Sequence, residues 1–404
     1  MPPERRDRFE LRRNNLSAVL RSVADAGPLT RADLVTRTGL NRGTVIGLVA
    51  DLVSRGLVDE VGSRQGDGAG RPTALLDIDQ AHTAAITAEV GPTGVTLEAS
   101  TLRGSPITGA SAPITQRRDL VPARVVRRVA DATRVMIGDL EASGYGCAGI
   151  VLTIPGALNS SRGLVHSAPS LGWENVHLGG LVQSAVGVES APLMIERLGH
   201  LAAEAERGHG RENLVVLFAD EGLGGGATVS GSSVLGAQGL GGEFAHIVVD
   251  PRGPRCSCGA RGCLAAFVSI RALAERHSEA LAPPPDSTPR LLADLVHAAA
   301  VRGHRGIIED LRKQSVHLGL AVTTLVNIFD PDAVILGGWL GVLGEWLTPG
   351  VQAVLDERLA GPRRSVPVHP STEPYGATRR GGARVLLDRL VHDPTVLPAR
   401  RTMS

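Results

Sequence analysis

The stretch His246–Cys263, HIVVDPRGPRCSCGARGC, sets one imidazole and three thiols at the spacing H-x9-C-x-C-x4-C, and it holds three of the chain's four cysteines. Three thiolates and one imidazole fill a tetrahedral zinc shell and leave no position open for chemistry, so a structural Zn2+ on His246, Cys256, Cys258 and Cys263 is expected. Gly259 and Gly262 bracket the short loop to Cys263, where a tight knuckle needs backbone angles that other residues resist. The competing reading is a disulfide beside a buried histidine. It fits less well, because Cys256 and Cys258 are too close to bridge comfortably and one thiol would be left over.

A chain of 404 residues with 43% hydrophobic content can bury more than one core, so two or three domains are expected. The net charge of +1 excludes a whole-chain polyanion binder and directs attention to local patches. No apolar run approaches the ~20 residues that span a bilayer. The opening MPPERRDRFELRRNN is charged and lacks the apolar stretch of a signal peptide, so the expectation is a cytoplasmic protein without membrane association. Lys313 is the only lysine, a bias that carries no functional meaning by itself.

Residues 1–80 read as a DNA-binding head. Leu16, Val19, Leu20 and Val23 recur at helical spacing up to Gly27-Pro28. Thr30-Arg31-Ala32-Asp33 is an N-cap pattern for a short second helix, and Thr38-Gly39-Leu40 makes a turn. Asn41 then caps a third helix whose apolar residues Val45, Leu48, Val49, Leu52 and Val53 are expected on one face. This is a helix-turn-helix arrangement, with Asn41, Arg42, Gly43 and Thr44 at the start of the recognition helix. Leu57–Val61 and Thr73–Ile78 read as two strands around the polar loop 63–72, which makes a winged helix. A Gly70-Arg71-Pro72 wing can place an arginine in a narrow minor groove. Arg31, Arg64 and Arg71 complete the expected DNA-contacting set. Residues 1–56 carry ten arginines and six acidic residues, a local excess of four positive charges. The blander alternative is a helical bundle used for packing or dimerisation.

From residue 81 onward, strands and helices alternate around Gly-rich turns, the pattern of an α/β fold. Strands are expected at Ala84–Val90, Val95–Ala99, Cys147–Ile154, Asn213–Ala219 and Ala333–Leu336. The turns after three of them, Pro155-Gly156, Gly222–Gly226 and Gly337-Gly338, suggest backbone approaching phosphates or a nucleotide, although each alone is a weak signal. Cys147 reads as a core thiol, and Trp173 as either core or a cleft wall. The expected boundaries are a head at 1–80, lobes at 81–195 and 196–390, and a disordered tail at 391–404.

Head, cysteine knuckle and turns together resemble the ROK family (repressors, open reading frames and kinases), in particular its transcriptional regulators. The resemblance runs through Arg13-Asn14-Asn15, Leu29–Leu34, Thr38–Asn41, Thr44-Val45 and Gly70–Pro72 in the head. In the body it runs through Ile154-Pro155-Gly156, Leu171-Gly172-Trp173 and Gly241–His246. It implies an actin-like ATPase (ribonuclease H-like) fold of two lobes with a sugar cleft between them, assembled as a homodimer or homotetramer.

Departures from the family's kinases set the functional expectation. The kinases carry Glu-Asn-Asp-Ala-Asn where this chain has Glu196-Arg197-Leu198-Gly199-His200. The Asp of that motif is the base for phosphoryl transfer, and Leu198 accepts no proton. Their first phosphate loop, Asp-x-Gly-x-Thr, is Glu89-Val90-Gly91-Pro92-Thr93 here, and Pro92 lacks an amide hydrogen. The glutamate two residues after the last cysteine is Ala265. The resemblance therefore implies a catalytically inactive, kinase-like body on a DNA-binding regulator, expected to repress sugar uptake or metabolism genes from a pseudo-palindromic operator. Pro155, Gly156, Arg197, His200, Glu243 and His246 are the expected effector site, for a sugar, amino sugar or sugar phosphate. The alternatives are an active kinase with an appended head and a regulator that has lost its small-molecule input.

Overall fold

The computed structural model describes residues 3–65, 72–187, 191–207, 211–359 and 366–400, with side chains from residue 9 onward. Helix α1 (Pro3–Ala26) buries Leu16, Val19, Leu20 and Val23, the helically spaced quartet. Helix α2 (Arg31–Thr38) begins in a full capping box: Thr30 accepts from the Asp33 amide, and the Asp33 carboxylate accepts from the Thr30 amide at 2.8 Å. Hydrogen bonds from Thr30 hold the Asp33 carboxyl below its ordinary range. Helix α3 (Arg42–Ser54) buries Val45, Leu48, Val49 and Leu52. Val53, grouped with these in the sequence, instead faces out at 40% exposure, because one residue beyond Leu52 turns about 100° away from the core stripe. Strands β1 (Val58–Arg64) and β2 (Thr73–Ile78) pair antiparallel from Val58↔Ile78 to Arg64↔Thr73. Those strands form the wing, and Arg71, between them in sequence, lies outside the described residues.

Strands β3 (Thr83–Gly91), β4 (Gly94–Thr101) and β5 (Pro106–Pro113) follow as an antiparallel meander, with Pro92-Thr93 as a two-residue hairpin turn. Helix α4 (Pro122–Ala142) and strand β6 (Gly146–Ile154) come next. The small sheet β7 (Ala157–Asn159), β8 (Leu164–Ala168) and β9 (Trp173–His177) precedes α5 (Leu178–Val186), β10 (Leu193–Arg197) and α6 (Leu198–Glu206). Trp173 is 2% exposed and belongs to the core. A five-stranded sheet of order β10-β6-β3-β4-β5 results.

Strands β11 (Leu214–Ala219), β12 (Leu223–Val229) and β13 (Ser232–Ser233) open the second large sheet. The helical stretch α7 (Ile270–Arg276), α8 (Ser278–Leu281), α9 (Pro289–Val301) and α10 (Arg305–Phe329) leads to β14 (Ala333–Gly338). Helices α11 (Trp339–Val342) and α12 (Gly344–Arg358), strand β15 (Val368–Pro370) and helix α13 (Ala377–His392) complete the chain. The sheet order is β13-β12-β11-β14-β15, with β14 parallel to both its neighbours. Val215, Leu217, Val334 and Leu336 bury one face of it under Leu273, Val296, Leu318, Val322 and Leu347.

These elements fall into two compact units, Met1–Leu152 with Leu178–Ile195 and Gly382–Ser404, and Thr153–His177 with Glu196–Gly381. The expected boundaries at 195 and 390 are thus shifted. Segment 153–177 joins the second unit, and α13 passes into the first, where Gly382 lies against Thr87 and Val151 and Leu386 against Gly149.

The tail expected to be disordered from 391 is packed through residue 400. Leu397 is 5% exposed, the Arg400 amide donates to Ser54 O at 2.7 Å, and the Arg55 guanidinium donates to Leu397 O. These bonds use carbonyls that a helix end leaves open. At α1 the same need is met by Arg103, which donates to Ala24 O at 2.9 Å and pairs with Asp77.

Candidate functional site

Three places carry the chemistry: the outer face of α3, the cysteine knuckle and a pocket beside α6. At the first, Asn41 accepts from the Thr44 amide at 2.9 Å, so its oxygen caps α3 and is not free to read a base. Arg31 pairs with Glu60 at 2.8 Å and Arg64 with Asp33 at 3.3 Å. Exposed pairs of this kind are worth about 0–1 kcal/mol, so phosphates can take over either arginine. Arg42 and Gly43 are exposed at the helix start, and among the described residues no carboxylate pairs with Arg42. Beside them, Leu11, Arg12 and Asn15 of α1 join Asn41, Gly43, Thr44, Gly47 and Leu48 in lining a groove of about 550 Å³.

In the knuckle the four expected ligand atoms all lie within 4.8 Å of one another. Cys256 Sγ is 3.7 Å from His246 Nδ1, and Cys258 Sγ is 3.7 Å from Cys263 Sγ. A tetrahedron with Zn–S bonds of ~2.3 Å has sulfur–sulfur edges of about 3.8 Å, so these two distances match the edges of a zinc site. The backbone fixes this shape. Val249 N donates to Gly262 O, Cys256 N to Ala260 O and Leu264 N to Ile247 O, and Gly259 and Gly262 take φ of +93° and +74°. Burial pushes the Cys263 thiol up, and the neighbouring sulfurs push it further, to about 12. At Cys256 burial pushes the same way, but hydrogen bonds from Cys258, His246 and Cys263 hold the thiol at about 7. Sulfurs this close repel one another as anions, a conflict that a central cation removes. The one other grouping of metal-type ligands among the described residues is Asp59, Asp79 and His82. There Asp79 already accepts from the amides of Ala81, His82 and Thr83.

The pocket lies wholly within the second unit. It has a volume of about 170 Å³, and its walls include Pro155, Gly156, Arg197, Leu198, Glu243 and His246. Of the expected effector residues it thus gathers all but His200. Among the glycines beside α6, Gly225 has an internal cause, whereas Gly222 and Gly224 face open space. A side chain at Gly199 would strike the backbone of Gly225, and one at Gly225 would strike Val216 O and the Phe244 ring. The start of α6 presses directly on β12, and that contact puts Arg197 and Leu198 in the wall. Arg197 is 6% exposed, donates to Gly241 O and pairs with Glu243 at 3.4 Å, so its charge is compensated within the pocket.

His200 points away, into a buried polar chain that the sequence reading missed. Its Nδ1 is 2.8 Å from Glu196 and its Nε2 3.6 Å from Glu204. Ser160 donates to Glu196, Ser233 to Glu204, and Arg207 lies 2.9 Å from Glu204. The signal was available as the spacing Glu196-x3-His200-x3-Glu204, although only His200 and Glu204 lie on α6 and Glu196 lies near the end of β10. Burial alone would lower the His200 pKa, but the two carboxylates overcome it and raise it from 6.5 to about 9. A raised pKa gives stability that is full below the ordinary value and is lost as pH rises through about 9. Thermal melts should therefore decline between pH 7 and pH 9 by an amount on the order of a few kcal/mol, and His200→Gln should flatten that decline. Equal slopes in both proteins would remove this role.

Comparison with known proteins agrees with this architecture. The ROK family model matches residues 106–387, and a MarR family model matches residues 17–68. The chain is 27% identical over 336 residues to a xylose repressor of Bacillus spizizenii, covering 82% of this chain and 83% of that one. It is 30% identical over 236 residues to a glucokinase of Thermotoga maritima, covering 55% and 72%. The crystal structure of a ROK family transcriptional regulator, a homolog of the E. coli MLC protein, superposes with a TM-score of 0.77 at 23% identity, covering 96% of this chain and 98% of that one. The chain belongs to the ROK family and combines a winged helix-turn-helix head with the family's actin-like sugar-kinase fold. Among the described residues no helix is long and apolar enough to cross a membrane.

Proposed function

We propose that this chain is a DNA-binding transcriptional repressor of sugar-related genes, in which a kinase-shaped body without kinase chemistry serves assembly and effector binding. The observation that carries the reading is the winged head: Arg42, exposed and without a carboxylate partner among the described residues, opens α3, and the same head carries Arg12, Arg31 and Arg64 in surface ion pairs. The alignment with a xylose repressor over most of both chains supports a sugar-linked role. A homodimer would set two α3 helices in successive major grooves of a pseudo-palindrome, with Arg71 entering a minor groove.

Two features argue against the alternative of an active kinase. Leu198 lines the pocket where the family's base would stand. Next to Gly222, burial and then the charge of Glu221 push the Asp220 carboxyl up to about 6, and Glu221 itself pairs with Arg271 at 2.8 Å. Two acidic groups beside this turn repel a triphosphate that needs donors. The pocket suits a small effector, and because Glu243 neutralises Arg197, a neutral sugar or amino sugar is favoured over a sugar phosphate. The knuckle ligands would hold Zn2+, which supplies folding energy and fixes His246 in the pocket wall.

Binding measurements across salt concentrations test the DNA reading. Arg42→Ala should weaken specific binding by about 1–3 kcal/mol if the guanidinium reads a base. If it holds phosphate instead, all sequences should weaken alike and the salt slope should fall by about one. Unchanged affinity on every duplex would remove the head from DNA.

A further inference from the structure

We propose that Ile46 is a specificity-determining residue of α3 that reads the C5-methyl group of a thymine, one helical turn beyond the base contacted by Arg42. The inference rests on the DNA-binding reading above and concerns what the recognition helix can distinguish.

The outward face of α3 consists of Arg42, Gly43, Ile46, Gly47, Ala50 and Val53, all exposed. Arg42 is the only one of the six with hydrogen-bonding side-chain atoms; nearby, the Asn41 oxygen is taken by the cap and Asp51 pairs with Arg12 and Arg55. A major groove offers donors, acceptors and one apolar feature, the thymine methyl. A helix face of this composition can use the arginine for guanine and has only apolar contact for the rest.

Ile46 is the side chain placed to make that contact. It is 46% exposed although branched and apolar, and the head's core closes without it on Val45, Leu48, Val49 and Leu52. At the next position a side chain added to Gly47 would meet no atom within 4 Å among the described residues. Glycine inside a helix costs stability relative to alanine, so open space beside Ile46 is room for a surface that comes from outside. Arg42 lies on the same helix face, and Arg12, Arg31 and Arg64 of the head sit in surface pairs that phosphates can replace. Arg42 and Ile46 are four residues apart on one face, about 6 Å along the axis, which places the thymine within about two base steps of the guanine at ~3.4 Å per step.

The test uses the full-length protein and the duplex it enriches from a randomised pool. Each thymine of the half-site is replaced in turn by deoxyuridine, which removes only the methyl group. Wild type is expected to lose about four-fold in affinity at one thymine per half-site, the equivalent of one buried methyl. Ile46→Ser should bind the thymine duplex more weakly and be indifferent to uridine at that same position, while Ile46→Val should keep most of the discrimination. Indifference of wild type to every uridine, or an undiminished penalty in Ile46→Ser, would overturn the proposal and leave DNA binding standing. Failure of wild type to enrich any duplex would overturn the DNA-binding reading, and this proposal with it. A change of association state in Ile46→Ser with unaltered DNA affinity would assign the residue to an interface between copies and also overturn the proposal.

Discussion

Cys258→Ser is expected to strip the metal from the chain and destabilise its second unit by several kcal/mol, the largest stability effect of any single change considered. Metal analysis of the wild type should give about one zinc per chain. Cys258 isolates the metal's contribution because it is exposed, whereas Cys256 and Cys263 are buried at 8% and 0%. Serine at Cys258 alters almost no packing, so any large loss reports ligation. The loss should be large because the knuckle has little else to hold it. Without the metal its ligands have nothing to join them, and the loop 247–263 is tied down by a few backbone bonds such as Val249 to Gly262. Structural zinc in small domains contributes apparent folding energies of about 10–16 kcal/mol, and a protein with a core elsewhere should retain part of its fold. Leu264, fully buried directly after the last ligand, carries the disturbance into the core under α10. Cys147 is the control. Its thiol, pushed up to about 11 by burial, stands apart from the cluster, and Cys147→Ser should keep its zinc. A Cys258→Ser protein that is metal-free and melts with the wild type would end the structural-zinc reading.

What could be read ahead of the structure follows how local each interaction is. The capping box at Thr30, the Asn41 cap, the knuckle spacing and the strand at 146–154 all depend on residues a few positions apart, and a period or a cap pattern exposes them. The same logic misplaced Val53 by a single step around α3. Contacts made across the chain left no such mark. Nothing in residues 382–400 signals that Leu386 lies against Gly149, or that Arg400 bonds to Ser54, 346 positions earlier. A polar, Pro-containing end read as a tail because its partners could not be seen. The site divides in the same way. Arg197 and Leu198 were found from a departure in a motif, but the partner of Arg197, Glu243, comes from a loop 46 residues on. His200 looked like a pocket residue because its neighbours in sequence are; on α6 it turns to the opposite side, toward Glu196 and Glu204. The glycine run after β11 was legible as a close approach, yet what lies against Gly226 is α6, and against Gly225 the Phe244 ring.

No sugar phosphorylation is expected from the wild type, and restoring the base alone should not create it. Leu198→Asp would return a carboxylate to the pocket wall. Arg197, adjacent and 6% exposed, would pair with it and hold its pKa down, which weakens it as a base. The substrate would also be poorly held. Arg197 stands in place of an asparagine that would grip hydroxyls, and Ala265, in the turn Leu264–Ala266, in place of a glutamate. The glutamate's lost charge-assisted contact corresponds to about 1.5–3 kcal/mol and the asparagine's neutral one to about 0.5–1.5 kcal/mol. Positioning supplies much of the rate in phosphoryl transfer, so a base without a held substrate gains little. The measurement is hexose-dependent ADP release by wild type, by Leu198→Asp, and by the triple variant Arg197→Asn, Leu198→Asp, Ala265→Glu. Wild type and single variant should stay at background. In the triple variant Glu243 loses its partner and becomes free to accept from a sugar hydroxyl, so any turnover should appear there first. It should remain low while Asp220 and Glu221 keep negative charge beside the Gly222 turn. Turnover by the wild type would overthrow the inactive-body reading and make this chain a kinase that carries a DNA-binding head.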